Sequence, residues 1–215
     1  NIGLQIKNKR PDGYHNLETV FLPVPLRDVL EAVPAKNEPA SLNVTGRVID
    51  SAVNENICFK AYQLLKEKHP SLPPVHMHLH KAIPSGAGLG GGSADGAFAL
   101  RLLNEQFQLR LSQQELVAAA LQLGSDCPFF IHNQPCFATG RGEVIEPLHL
   151  QLAPYSLLLV NPNIHISTGW AFAQLPPVRH HKNLRSAVSK PVAEWEGAVI
   201  NDFEALVFAA YPEVK

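Results

Sequence analysis

Pro84-Ser85-Gly86-Ala87-Gly88-Leu89-Gly90-Gly91-Gly92-Ser93-Ala94-Asp95 is the stretch on which the reading of this chain turns. Five glycines among the seven residues 86–92 leave backbone N–H groups uncovered and let the chain take positive φ. Residues 94–107 then run as a helix of good formers, so a helix start points its free N–H groups and dipole at the loop. A plain flexible linker is the alternative, but glycine is costly to order, and five poised at a helix start favour anion binding. The Gly-Lys-Ser/Thr ending of a Walker A loop is absent, and a dinucleotide fingerprint needs an acidic ribose partner about 20 residues on.

Outward from the loop, the chain mixes strands and helices. Residues 75–80 alternate strictly as a strand, and 54–68 read as a helix that stops before Pro70, with Ile57, Ala61, Leu64 and Leu65 on one stripe. Ser112-Gln113-Gln114-Glu115 is a capping box for a helix closing at Gly124. Residues 2–6, 17–22, 29–33, 136–139 and 156–160 read as strands, and Arg10-Pro11-Asp12-Gly13 as a turn. There is no regular βαβα alternation and no internal repeat, so the class expected is α+β.

Composition sets the frame for function. With 215 residues, 46% of them hydrophobic and 17% charged, the chain has material for one large domain or two smaller ones. A net charge of −1 gives no basic footprint for nucleic acid, and no run of about 18 uncharged apolar residues marks a membrane span. Cys58, Cys127 and Cys136 lack CxxC spacing and read as reduced thiols of a cytoplasmic protein. The chain opens mid-strand at Asn1 and stops at Lys215 without a closing cap, which reads as a fragment.

Three further groups carry polar chemistry. Asp126, in Gly124-Ser125-Asp126-Cys127-Pro128-Phe129-Phe130, is either a helix cap or a proton acceptor for a hydroxyl nucleophile. Tyr14 and His15 offer a stacking face and a directional donor–acceptor pair, suited to a heteroaromatic base, or else belong to an ordinary turn before a strand. His76, His78 and His80 share one strand face, but the outer two lie roughly 13 Å apart, so all three cannot share one metal, though two could; a solvated or partly covered strand face is the favoured reading. No GxSxG elbow for Ser–His–Asp hydrolysis is present.

Taken together, residues 10–19, the glycine loop, residues 124–130, Gly140-Arg141-Gly142-Glu143 and Asn201-Asp202-Phe203-Glu204 resemble the 4-diphosphocytidyl-2-C-methyl-D-erythritol kinase family of the GHMP superfamily. The loop is general to the superfamily, and Pro11-Asp12-Gly13-Tyr14-His15 selects this branch over mevalonate, homoserine or galactose kinases. The resemblance implies an ATP- and Mg²⁺-dependent kinase of non-mevalonate isoprenoid biosynthesis, acting on a cytidyl diphosphate sugar alcohol as a monomer or homodimer. It implies a two-lobed fold, an α/β lobe over 1–150 and an incomplete α+β lobe over 151–215, with the active site in the cleft.

By motif position the resemblance makes Asp126 the catalytic base. Pro84, Gly86, Gly88, Leu89, Gly90, Gly91, Gly92 and Ser93 become the triphosphate cradle. Asn56 and Ile57 would border the adenine, with Lys81 on the nucleotide side. Tyr14 and His15 would hold the cytosine, Phe172 would stack on its other face, and Asn1 would line the substrate site. No protein metal ligand is implied. Family members carry a Lys two positions before the residue matching Asn1 and a third glycine-rich motif beyond residues 201–204. Neither lies within 1–215, and Ala94 stands where a second Ser is common. The rivals are another GHMP small-alcohol kinase and a non-catalytic nucleotide-binding module.

Overall fold

The computed structural model describes residues 1–48, 52–150, 152, 154–175 and 183–215. The strands are β1 (Ile2–Lys9), β2 (His15–Phe21), β3 (Val29–Pro34), β4 (Ser41–Gly46), β5 (Val75–Lys81), β6 (Cys136–Thr139) and β7 (Val144–Pro147). The helices are α1 (Ile57–Lys68), α2 (Gly91–Gln106), α3 (Gln113–Leu123), α4 (Cys127–His132), α5 (Thr168–Ala173), α6 (Leu184–Val188) and α7 (Glu204–Ala210).

Packing groups these elements into two compact units, Asn1–Pro23 with Gln134–Lys215, and Val24–Asn133. This differs from a linear division at residue 150. The reason is strand pairing: β2 takes β6, more than a hundred residues on, as its neighbour, so both chain segments belong to one sheet.

In the unit Val24–Asn133, β5 lies between β3, antiparallel to it, and β4, parallel to it. Parallel neighbours need a crossover, and α1 supplies it between β4 and β5. The alternation read at 75–80 is real: Val75, Met77 and Leu79 are buried in the core, while the histidines between them face outward. Leu65, Leu72, Leu100 and Leu103 complete that core under α1 and α2. At the start of α3 the capping box forms, Ser112 Oγ accepting the Glu115 N–H while Glu115 accepts the Ser112 N–H at 2.8 Å. Such caps are worth about 1 kcal/mol.

In the other unit the sheet order is β1-β2-β6-β7, antiparallel throughout. Its core is Val20, Phe137, Leu184 and Val188, with Trp195 and Val199 against them. The 10–13 turn closes the β1–β2 hairpin, with Gly13 at φ +87° and the Arg10 N–H donating to the Tyr14 carbonyl at 2.8 Å.

Two expectations are corrected. Helix α2 starts at Gly91, not at residue 94, because the first helical turn leaves its N–H groups unpaired anyway and tolerates glycine there. Residues 156–160 form no strand: the run is apolar, but no segment among the described residues gives it a ladder, and Leu158 and Val160 are exposed. No helix among the described residues is long and apolar enough to cross a membrane.

Candidate active site

The glycine loop links β5 to α2. Gly86, Gly88 and Gly90 take φ of +70°, +70° and +68°, the left-handed region that other residues avoid. Gly90 precedes α2 and no side chain caps the helix, so the first-turn N–H groups have no side-chain partner. Space is graded along the loop. A Cβ on Gly90 would come to 2.9 Å from the Phe130 ring, whereas one on Gly92 would meet nothing within 4 Å. The backbone at Gly92 is therefore open to an approaching anion.

Beneath the loop lies a buried ionic cluster. Lys81, the last residue of β5, pairs through Nζ with Asp28 and, at 2.7 Å, with Asp95 in the second turn of α2. The three side chains are 3%, 4% and 6% exposed. Asp28 also accepts the N–H groups of Ala82 at 2.6 Å and Ile83 at 2.9 Å. One ammonium can neutralise only one of two carboxylates. Burial works against the charge of Asp28, but the bonds from Lys81, Ile83 and Ala82 hold its carboxyl below the usual range. Burial pushes Asp95 up to about 7, against the attraction of Lys81 and with the nearby Asp28 charge adding to the lift. For Lys81, burial favours the neutral amine and is outweighed by both carboxylates, which hold its pKa above the ordinary value.

Asp126 immediately precedes α4, whose Phe130 ring meets the loop at Gly90. Its neighbour Cys127 is buried, near Ser93 in the first turn of α2. The buried Cys127 thiol is pushed up to about 11, Ser93 opposing the rise, and so stays a thiol. Asp126 itself keeps access to solvent, and its side chain caps no helix N–H. The protein around its carboxyl raises its pKa, with only a long 3.5 Å contact from the Ser125 hydroxyl opposing. Of the two readings open in the sequence, a helix-capping side chain is the one the geometry does not use.

Asn56 caps α1, its side chain accepting the Cys58 N–H at 2.9 Å. Ile57 lies against α2 at Gly96, where an added Cβ would come to 2.7 Å from it. The start of α1 therefore flanks the start of α2. Lys81, expected on the nucleotide side, is beneath the loop with its ammonium spent on Asp28 and Asp95.

The other unit holds the aromatic residues expected at the base. The His15 ring stacks on Phe172 with centroids 4.9 Å apart and planes at 16°, and the Phe203 edge meets Phe172 at 5.1 Å. Residues 200–203 are tied to β1, since Asp202 accepts the Ile6 N–H at 2.7 Å and Leu4 donates to the Ile200 carbonyl at 2.9 Å. That explains why Phe203 stands where it does. Tyr14 is exposed on one side, and the Arg141 guanidinium covers its ring at 4.9 Å. Nothing local in Gly140-Arg141-Gly142-Glu143 signals that Arg141 meets Tyr14. Asn1 donates through Nδ2 to Thr19 Oγ1 at 3.0 Å.

The three histidines of β5 pair along the outer sheet face. His76 Nδ1 lies 2.7 Å from Ser41 Oγ, and His78 and His80 both reach Thr45 Oγ1. Among the described residues, no group of three or more His, Cys, Asp or Glu side chains is placed to hold a metal ion. Cys58, Cys127 and Cys136 are free and buried.

Residues 56–134 match the GHMP kinases N terminal domain. The whole chain aligns at 48% identity with 79% of a 4-diphosphocytidyl-2-C-methyl-D-erythritol kinase of Bacteroides fragilis, and at 41% identity with 76% of that of Chlorobium limicola. Among solved structures, a crystal structure of 4-(cytidine 5'-diphospho)-2C-methyl-D-erythritol kinase superposes with a TM-score of 0.74 at 29% identity, covering 98% of this chain and 75% of that one.

Proposed function

This chain belongs to the 4-diphosphocytidyl-2-C-methyl-D-erythritol kinase family of GHMP kinases, and from that premise we propose that it transfers the γ-phosphoryl group of ATP to the 2-hydroxyl of 4-diphosphocytidyl-2-C-methyl-D-erythritol, in non-mevalonate isoprenoid biosynthesis. The observation that carries the reading is the packing of the Phe130 ring of α4 against Gly90, which brings Asp126, the residue before α4, to the side of the uncapped start of α2. Phosphoryl transfer asks the protein for positioning and charge stabilisation rather than covalent chemistry. A donor cradle next to a proton acceptor meets that demand.

In this reading the N–H groups of residues 86–93 bind the phosphates, and the open backbone at Gly92 admits them closely. Asn56 and Ile57 border the adenine. Asp126 accepts the proton of the attacking hydroxyl, and its raised pKa brings it toward the working range of a general base. Mg²⁺ would arrive with the nucleotide and would supply charge neutralisation to its phosphates. Tyr14, His15 and Phe172 hold the cytosine, and Asn1, oriented by Thr19, lines the acceptor site. A small-molecule acceptor, a cytoplasmic setting and a monomer or homodimer complete the proposal.

The test is a substrate panel on the full-length protein. ATP is offered with the cytidyl substrate, mevalonate, homoserine or galactose, and ADP formation is followed. ADP with the cytidyl substrate alone, competed by cytidine diphosphate, supports the proposal. Turnover of another alcohol without such competition replaces it with a GHMP kinase of different specificity.

A further inference from the structure

The cluster beneath the loop has a second property besides its burial: it touches the loop at both ends. On the entry side, Asp28 accepts the N–H groups of Ala82 and Ile83, the two residues that lead into Pro84. On the exit side, Asp95 belongs to the second turn of α2 and accepts from Lys81 Nζ at 2.7 Å. Lys81 joins the two carboxylates, so a single ammonium ties the chain before the loop to the helix after it. The ammonium also lies under the first residue of α2, since a Cβ on Gly91 would come to 3.4 Å from Nζ.

We propose that Asp28, Lys81 and Asp95 form a clamp of positioning residues that holds the two ends of the glycine loop at the spacing a triphosphate needs. The inference rests on the reading of the loop as the ATP site. Between its ends the loop has three glycines at positive φ, and a Cβ on Gly88 would meet nothing within 4 Å, so its backbone has many states open to it. A cradle made of backbone N–H groups binds well only if those groups already converge. Fixing both ends removes most of that freedom before the nucleotide arrives. Lys81 does this from below and does not bind phosphate itself: its side chain is 3% exposed, and two of its three protons go to carboxylates.

Calorimetric ATP binding and the separate KM values for ATP and acceptor test this in wild type, Lys81→Met and Asp28→Asn. Asp28→Asn is the near-isosteric variant and decides the matter alone if Lys81→Met does not fold. The clamp predicts that each variant weakens ATP by about tenfold or more, in Kd and in KM, while the acceptor KM stays within about twofold. Amide exchange across residues 84–90 should quicken in both. A lysine that contacts the nucleotide directly gives another pattern: Lys81→Met weakens ATP, but Asp28→Asn, which releases the ammonium, leaves ATP binding unchanged or tighter. That pattern, or equal losses for ATP and acceptor with unchanged exchange in the loop, overturns the clamp. Failure of the wild type to bind ATP at all would instead remove the reading of the site, and the exchange measurement would still report on the clamp.

Discussion

The ring of His15 lies flat on that of Phe172, at 4.9 Å and 16°, although 157 positions separate them in the chain. The stack occupies a face of Phe172 that the resemblance assigns to the base. A cytosine that uses this face must take the place of His15 on it, while the exposed ring of Tyr14, backed by Arg141, is open to stacking. Burial and the charge of Lys9 lower the pKa of His15, which favours a neutral ring able both to donate and to accept.

Tyr14→Ala should therefore weaken cytidine diphosphate by roughly tenfold to a hundredfold, since a stacked base is worth about 1–3 kcal/mol, and should leave ATP affinity unchanged. Titration calorimetry with the two nucleotides checks this. The His15 ring proton resonances of the wild type should also shift when cytidine diphosphate is added. Equal affinity in the Tyr14 variant, or still resonances, would remove the cytidine site from these residues.

At the glycine loop, position matters more than residue type. Gly92 stands in the first turn of α2 with nothing near its missing Cβ, so Gly92→Val fits the protein and obstructs only a ligand. Any side chain also gives the helix back some of the roughly 1 kcal/mol that glycine costs it. The variant should melt no earlier than wild type and bind ATP at least about tenfold more weakly. Gly90→Val is a different experiment: φ +68° and the Phe130 ring at 2.9 Å mean that it should lower the melting temperature. Thermal unfolding alongside ATP titration separates the two.

The buried cluster sets a pH dependence. The carboxyl of Asp95 titrates near 7 in the fold against 3.8 in the unfolded chain. Between those values the folded state holds a proton that the unfolded state has lost, so stability falls as pH rises from about 4 to about 7 and then levels. Asp28 has the opposite sign, and its contribution is lost only as pH drops below the ordinary carboxylate range. Melting temperatures measured from pH 4 to 8 should show a decline that Asp95→Asn removes. An identical profile in that variant would mean that Asp95 is not the group responsible.

What the sequence made legible was local. Positive φ in a glycine run, an Ser–Glu capping box and an alternating strand each declare themselves within a few residues, and the loop, α3 and β5 stand where expected. Strand β4 was missed because its short run, Ser41-Leu42-Asn43-Val44-Thr45, gains its meaning from β5, reached only after the α1 crossover. Residues 156–160 failed for the converse reason, apolar character without a ladder. Asp28 went unnoticed beside Arg27 because its partner lies 53 positions away. Asp95 did carry a signal: an acid flanked by Gly96 and Ala97, which are buried, requires a counter-charge, and Lys81 was in view without being joined to it.

The central claim is that phosphoryl transfer runs between the glycine loop and a hydroxyl deprotonated by Asp126, and one substitution addresses it. Asp126→Asn keeps the size of the side chain and removes its ability to take a proton. Its kcat and its ATP Kd are to be measured in the full-length protein with the cytidyl substrate. The account predicts a fall in kcat of about 100-fold or more with ATP affinity within about twofold of wild type. Near-normal turnover in that variant would contradict it.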